Sequence, residues 1–120
     1  MTTKYENGLA LLNKLHGGHT GEAIINNFAD ICPKMAEITI EMIFGDLLQR
    51  NELDFKTREL TMLASLVALG HSLPQVRSHT EAAINVGATK AEIVEVILQT
   101  ACLAGFPAAA NALIAIKDLF

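Results

Sequence analysis

Residues 54–87, DFKTRELTMLASLVALGHSLPQVRSHTEAAINVG, decide the fold class. Asp54 stands where a helix N-cap belongs, and the apolar run behind it ends at Gly70, a C-terminal stop. Ser72-Leu73-Pro74-Gln75 reads as a second start, a capping box with proline in the first turn, where a missing N–H costs nothing. This helix runs to Val86 and ends at Gly87. Downstream, Thr89-Lys90-Ala91-Glu92 is another capping box, opening a helix to about Ala104. Gly105 closes it, and Pro107 starts a last helix to the C-terminus. Glu92 and Glu95 sit near a helix start, where the macrodipole favours acids.

Upstream, residues 4–15 form an amphipathic helix with Leu9, Leu12 and Leu15 as its stripe, ended by Gly17-Gly18. Thr20 caps a short helix over 21–28. Asp30 and Pro33 bracket a longer one, running to about Gln49 with Met35, Ile38, Met42, Ile43 and Leu47 inward. No alternating strand pattern, internal repeat or low-complexity linker is present. The expectation is an all-α, single compact domain of about six helices covering residues 1–120.

Composition bounds the partners. The chain is 51% hydrophobic, lacks tryptophan, and carries a net charge of −4 with acids and bases interspersed. No concentrated basic patch offers itself to nucleic acid or to an anionic membrane. Of seventeen alanines, eleven follow residue 81. Small side chains let helices approach closely, and surplus apolar surface on a short chain points to a homo-oligomer. The polar opening Thr2-Thr3-Lys4-Tyr5-Glu6-Asn7 shows no secretory signal, so the cytoplasm is the expected compartment. The uncharged stretch from Val96 to Ile116 is broken by Gly105-Phe106-Pro107 and reads as two buried helices, not a membrane span. Cys32 and Cys102 sit among apolar neighbours and read as buried, reduced thiols. No closely spaced Cys/His cluster suggests a metal.

Two ionisable residues fall on apolar stripes. His79 shares a helical face with Val76, Ala83 and Val86, and Glu59 shares one with Met62, Leu63 and Leu66. His79 is then either a core histidine satisfied by its neighbours or an inward-facing functional group. Glu59 is either a first-turn acid favoured by the dipole or a carboxylate held in a cleft. Arg50, Arg58 and Arg77 read as surface charges, and His16, His19 and His71, which flank glycines, as exposed loop residues.

The ordered series Arg58-Glu59-Leu60-Thr61-Met62-Leu63-Ala64, Ala68-Leu69-Gly70, Arg77-Ser78-His79, Ala83, Gly87, Thr89, Glu92-Ile93-Val94-Glu95, Ala104-Gly105-Phe106-Pro107-Ala108-Ala109 and Asn111-Ala112 resembles the carboxymuconolactone decarboxylase family, which includes the alkylhydroperoxidase-D-like enzymes. Tyr5-Glu6-Asn7-Gly8-Leu9, Phe44-Gly45 to Arg50, and Leu53-Asp54 extend the likeness to most of the chain. The resemblance implies an all-helical domain assembled into trimers or hexamers. The family's redox branch carries Cys-x-x-Cys-x-x-x-His on the helix of His79; here the cysteine positions are Ser72 and Gln75. Neither can supply a thiolate or form a disulfide, so peroxidase activity of that type is not expected.

The decarboxylase branch also lacks those cysteines. It implies cofactor-independent, metal-independent decarboxylation of a small carboxylated lactone, 4-carboxymuconolactone to its enol-lactone, in aromatic catabolism. His79 would be the acid or polarising group with Glu59 orienting it, and Arg50, Arg58 and Arg77 would bind the carboxylates of the substrate. Arg77 lies two residues before His79 and points off that face. The family's tryptophan before the glycine and its aromatic near position 103 are replaced by Phe44 and Leu103, which reshapes the pocket. A different small-molecule lyase or isomerase, or a non-catalytic oligomeric binding protein, are the alternatives.

Overall fold

A computed structural model describes all 120 residues, and every regular element in it is helical. Seven α-helices run in order: α1 (Lys4–His16), α2 (Gly18–Phe28), α3 (Pro33–Ile38), α4 (Phe55–Leu69), α5 (Leu73–Asn85), α6 (Lys90–Ala104) and α7 (Phe106–Ile116). A π-helical turn (Thr39–Phe44) and a short 3-10 turn (Leu47–Gln49) follow α3, and a last 3-10 turn (Lys117–Leu119) follows α7. The chain forms two compact units, Met1–Glu52 and Leu53–Phe120. No helix is long and apolar enough to cross a membrane: the uncharged stretch from Val96 is divided between α6 and α7 at Gly105.

In the first unit, α1 begins where the Thr3 side chain accepts the Glu6 N–H at 3.1 Å, and it buries Leu11, Leu12 and Leu15. The helix expected from Pro33 to Gln49 is interrupted, and its inward face is a different one. Met35, Ile38, Met42, Ile43 and Leu47 are all exposed, while Ala36, Ile40, Phe44 and Leu48 are buried. Every fourth residue points inward. In an ideal α-helix that spacing drifts by about 40° per step. The π turn takes in an extra residue and corrects the drift, closed by the Gly45 N–H on the Ile40 carbonyl at 2.8 Å, an i→i+5 bond. The Gln49 amide donates to the Phe44 carbonyl at 2.9 Å and so satisfies the end of the turn.

Backbone approach sets how α1 lies on this turn. A Cβ on Gly8 would fall on the Ile40 carbonyl oxygen, and one on Gly45 on the carbonyls of Lys4 and Glu41. Two glycines therefore form the contact itself. Two residues of the first unit also lie otherwise than expected. His16 is buried at the end of α1, its ring edge-on to Phe44 with centroids 5.8 Å apart, because the helix runs on through it instead of stopping short. Cys32 is exposed, since it precedes α3 in an irregular turn.

In the second unit the expected punctuation is present. Asp54 accepts the Thr57 N–H at 2.7 Å, Gly70 closes α4 in the left-handed region, and the Thr89–Glu92 capping box is complete. Ser72 departs from expectation: its side chain does not cap α5 and lies instead 3.2 Å from His71 Nδ1. The core is built from Leu63 and Val67 of α4, Val76 and Ala83 of α5, Ile93 and Ile97 of α6, and Ala109, Ala112 and Ile116 of α7, with Ala88 between α5 and α6. Alanine at Ala83, Ala109 and Ala112 keeps the helices close. Cys102, expected inside, lies on the exposed side of α6, opposite the stripe of Ile93 and Ile97.

The glycine contact gives a direct test. Gly8→Ala should destabilise the protein by about 3 kcal/mol, the upper end of overpacking, because the atom it meets is backbone and cannot rotate away. Gly18→Ala, with nothing within 4 Å of the added Cβ, should be neutral or slightly stabilising. Urea denaturation of both variants checks this pair.

Candidate active site

Helices α4 and α5 pack against one another, joined by a tight turn at Gly70-His71-Ser72. The Asp54 cap and Pro74 in the first turn of α5 fix where each helix starts, and so fix which residues face each other across the pair. Glu59, in the second turn of α4, meets His79, in the second turn of α5, with Oε2 2.7 Å from Nδ1. The carboxylate is 1% exposed and the imidazole side chain 19%. The two stripe residues singled out in the sequence are thus partners. Glu59 is not a solvated first-turn acid; it is among the largest fully buried side chains.

An ionised carboxylate can only accept, so the bond selects the imidazole tautomer with hydrogen on Nδ1 and puts its proton chemistry at Nε2. The second carboxylate oxygen, Oε1, is buried and takes no hydrogen bond. A buried acceptor left that way costs free energy. On α5, Val76 and Ala83 are buried, and the buried Thr80 hydroxyl donates to the Val76 carbonyl at 2.7 Å. Ser72 and Gln75, on the same helix, offer no thiol, and both cysteines are free.

The three arginines are placed differently. Arg77 is committed: Nη1 donates to Asp118 Oδ1 at 2.6 Å and to the Ala115 carbonyl at 2.5 Å, and Nη2 donates to Asp118 Oδ2 at 3.1 Å. This two-pronged grip ties α5 to the end of α7. Arg58 is half-buried at the start of α4, its Nε donating to the Leu53 carbonyl at 3.2 Å. Arg50 is exposed and belongs to the first unit. The Asp118 partner of Arg77 was not legible in the sequence, because 41 residues separate them.

The Arg77 guanidinium holds the Asp118 carboxyl below the usual carboxylate range. A carboxylate lowered in the folded state adds stability above its unfolded value, and that stability is lost as pH falls through the folded one. Asp118→Asn should therefore be less stable than the parent at neutral pH, the gap closing as pH drops below the ordinary aspartate range. Urea midpoints across a pH series read this directly.

For the Glu59–His79 pair, His79→Ala should cost roughly 1–3 kcal/mol, since it strands a buried acceptor. The double variant Glu59→Leu/His79→Ala should recover most of that loss. Calorimetric unfolding of the single and double variants checks the comparison.

The family model for the carboxymuconolactone decarboxylase family matches residues 33–118. The chain is 29% identical over 117 residues to the 4-carboxymuconolactone decarboxylase of Acinetobacter baylyi, an alignment covering 98% of this chain and 87% of that protein. It is 37% identical over 84 residues to an uncharacterised 15.0 kDa protein of the nqo9-nqo10 intergenic region of Paracoccus denitrificans, covering 69% of this chain and 63% of that one. It is also 29% identical over 110 residues to the nitrosuccinic acid decarboxylase npaB of Metarhizium robertsii, covering 92% and 76%.

Proposed function

The chain belongs to the carboxymuconolactone decarboxylase family, and on that premise we propose that it decarboxylates a small carboxylated lactone without a cofactor, His79 and Glu59 forming the acid–base pair. The observation that carries this reading is the buried Glu59 carboxylate held 2.7 Å from His79 Nδ1, one of its oxygens unpartnered.

In 4-carboxymuconolactone the leaving carboxylate sits on the γ-carbon of an unsaturated lactone. When the C–CO₂ bond breaks, its electron pair moves through the ring double bond into the lactone carbonyl and gives a dienolate. Protonation at the α-carbon then yields the enol-lactone. In this scheme His79 carries a second proton at Nε2 and delivers it to carbon, returning to the tautomer with hydrogen on Nδ1. Glu59 is the positioning residue: its fixed acceptor holds the ring so that Nε2 is the nitrogen that works. Arg58 supplies a guanidinium group for a substrate carboxylate. Arg77, occupied by Asp118, acts as a clamp on α5.

A second substrate is favoured by the likeness to the nitrosuccinic acid decarboxylase. Loss of carbon dioxide from the nitro-bearing carbon of nitrosuccinate leaves its electron pair on a nitronate, and one proton at carbon completes the reaction. Both substrates require the same two things of the protein, a cation for a carboxylate and an acid for carbon.

Freshly generated 4-carboxymuconolactone, followed by ultraviolet absorbance, tests the proposal. Wild type should accelerate loss of the lactone, and His79→Ala should lower turnover by about 10²-fold or more, the usual worth of a positioned acid. Full turnover in that variant would remove His79 from the chemistry. No turnover by wild type, combined with carbon dioxide release from nitrosuccinate, would replace the lactone with the nitro acid.

A further inference from the structure

Helices α6 and α7 pack against each other, and the first turns of α6 face the last turn of α7 across a hollow of about 220 Å³. Lys90 and Val94, four residues apart, share one face of α6. Leu113 and Ile116 share one face of α7, Lys117 opens the turn that follows, and Phe120 completes the lining. Ile116 is buried and Val94 and Leu113 are half-buried, so the floor is apolar, while Lys90 and Lys117 are exposed at its mouth. Neither Glu59 nor His79 lines this hollow.

The two lysines are set apart by what they do not touch. Acids outnumber lysines and arginines in this chain by 13 to 9. Lys4, Lys34, Lys56 and Arg77 each pair with a carboxylate. Lys90 and Lys117 form no ion pair, and both line the same hollow. The acids nearest them in sequence are already taken: Glu92 by Lys56 at 2.6 Å, and Asp118 by Arg77 at 2.6 and 3.1 Å. The Lys90 ammonium stands instead 5.7 Å from the centre of the Phe120 ring, a cation–π contact that holds it beside the hollow. Two like charges at one apolar hollow repel each other, and an anion between them is attracted by both.

The rest of the lining selects the kind of anion. No hydroxyl, amide or imidazole side chain is present, so a bare phosphate or sulfate would give up hydration for two ammoniums and four apolar side chains. An anion with an apolar body fits better: the body covers Val94, Leu113 and Ile116, and the charge stays at the mouth beside water. The volume lies below the roughly 300–1,000 Å³ of sites for drug-sized ligands, which limits the body to one ring or a short branched chain. We propose that this hollow binds a small organic monocarboxylate, its carboxylate between Lys90 and Lys117 and its apolar body on Val94, Leu113 and Ile116. The proposal stands independently of the decarboxylase reading.

Benzoate is the probe, titrated into the isotope-labelled full chain and followed by heteronuclear NMR. Saturable shifts of the Val94 and Leu113 methyl groups and of the Phe120 amide are expected, with a Kd of about 1 mM, the range open to so small a ligand. The double variant Lys90→Gln/Lys117→Gln should bind about tenfold more weakly while circular dichroism stays helical, since both positions are exposed. Benzyl alcohol, a like body without the charge, should also bind more weakly than benzoate, and inorganic phosphate should leave the methyl groups unmoved. No saturable shift at these residues would overturn the proposal, and so would full affinity in the double variant. Phosphate matching benzoate would make the hollow a site for any anion and overturn the assigned class. Shifts confined to the neighbours of Glu59 and His79 would assign benzoate to that pair and overturn it equally.

Discussion

A carboxylate in a protein interior has to be answered by a donor, and at Glu59 that donor is 20 residues away on another helix. The bond to His79 exists only if α4 and α5 keep a fixed rotation and translation. A slip of one residue in either helix turns its partner by about 100° and leaves Glu59 buried alone. The surrounding devices all hold that register. Asp54 and Gly70 set the two ends of α4, and Pro74 sits in the first turn of α5. Lys56 reaches Glu92 at 2.6 Å, tying the starts of α4 and α6 together. Arg77 fastens α5 to the residues that follow α7. The costly contact is thus held by several inexpensive ones, as preorganised sites commonly are.

Much of this was legible in the sequence, and unevenly so. The second unit announces its helix ends through capping residues and glycines, signals local in the chain that do not depend on packing. Glu59 and His79 stood out because a charged residue on an apolar stripe is visible from spacing alone. Their pairing was not legible from spacing, which says nothing about which faces meet; only the family resemblance implied that Glu59 orients His79. The first unit misleads for a physical reason. Met35, Ile38, Met42, Ile43 and Leu47 make a convincing helical stripe, yet Gly8 and Gly45 decide the packing by allowing backbone to approach backbone. A side-chain reading weighs large residues, whereas here the smallest ones set the contact. The same bias put the cysteines inside: apolar neighbours in sequence do not share a face when the helix turns by about 100° per residue.

The family's decarboxylase relatives and this chain raise one chemical question in common. Decarboxylation is easy when the electrons have somewhere to go, and both a conjugated lactone and a nitro group provide that sink. What the protein must add is modest: a grip on a carboxylate and a proton at the right carbon. Under the proposed function, the Glu59–His79 pair would supply that proton. The range of substrates would then be set by pocket shape.

Two of the helix connections consist of a single residue. Gly17 serves at once as the end of α1 and the start of α2, and Gly105 does the same for α6 and α7, with φ/ψ of 85°/158° and 94°/158°. Such values lie in a region that side chains essentially forbid. A one-residue junction also has no slack. An added residue at Gly105 would turn α7 by about 100° and swing Ala109, Ala112 and Ile116 off the core. Changes of chain length are therefore least tolerated at Gly17 and Gly105 and easier in longer turns such as 29–32, 50–54 and 86–89.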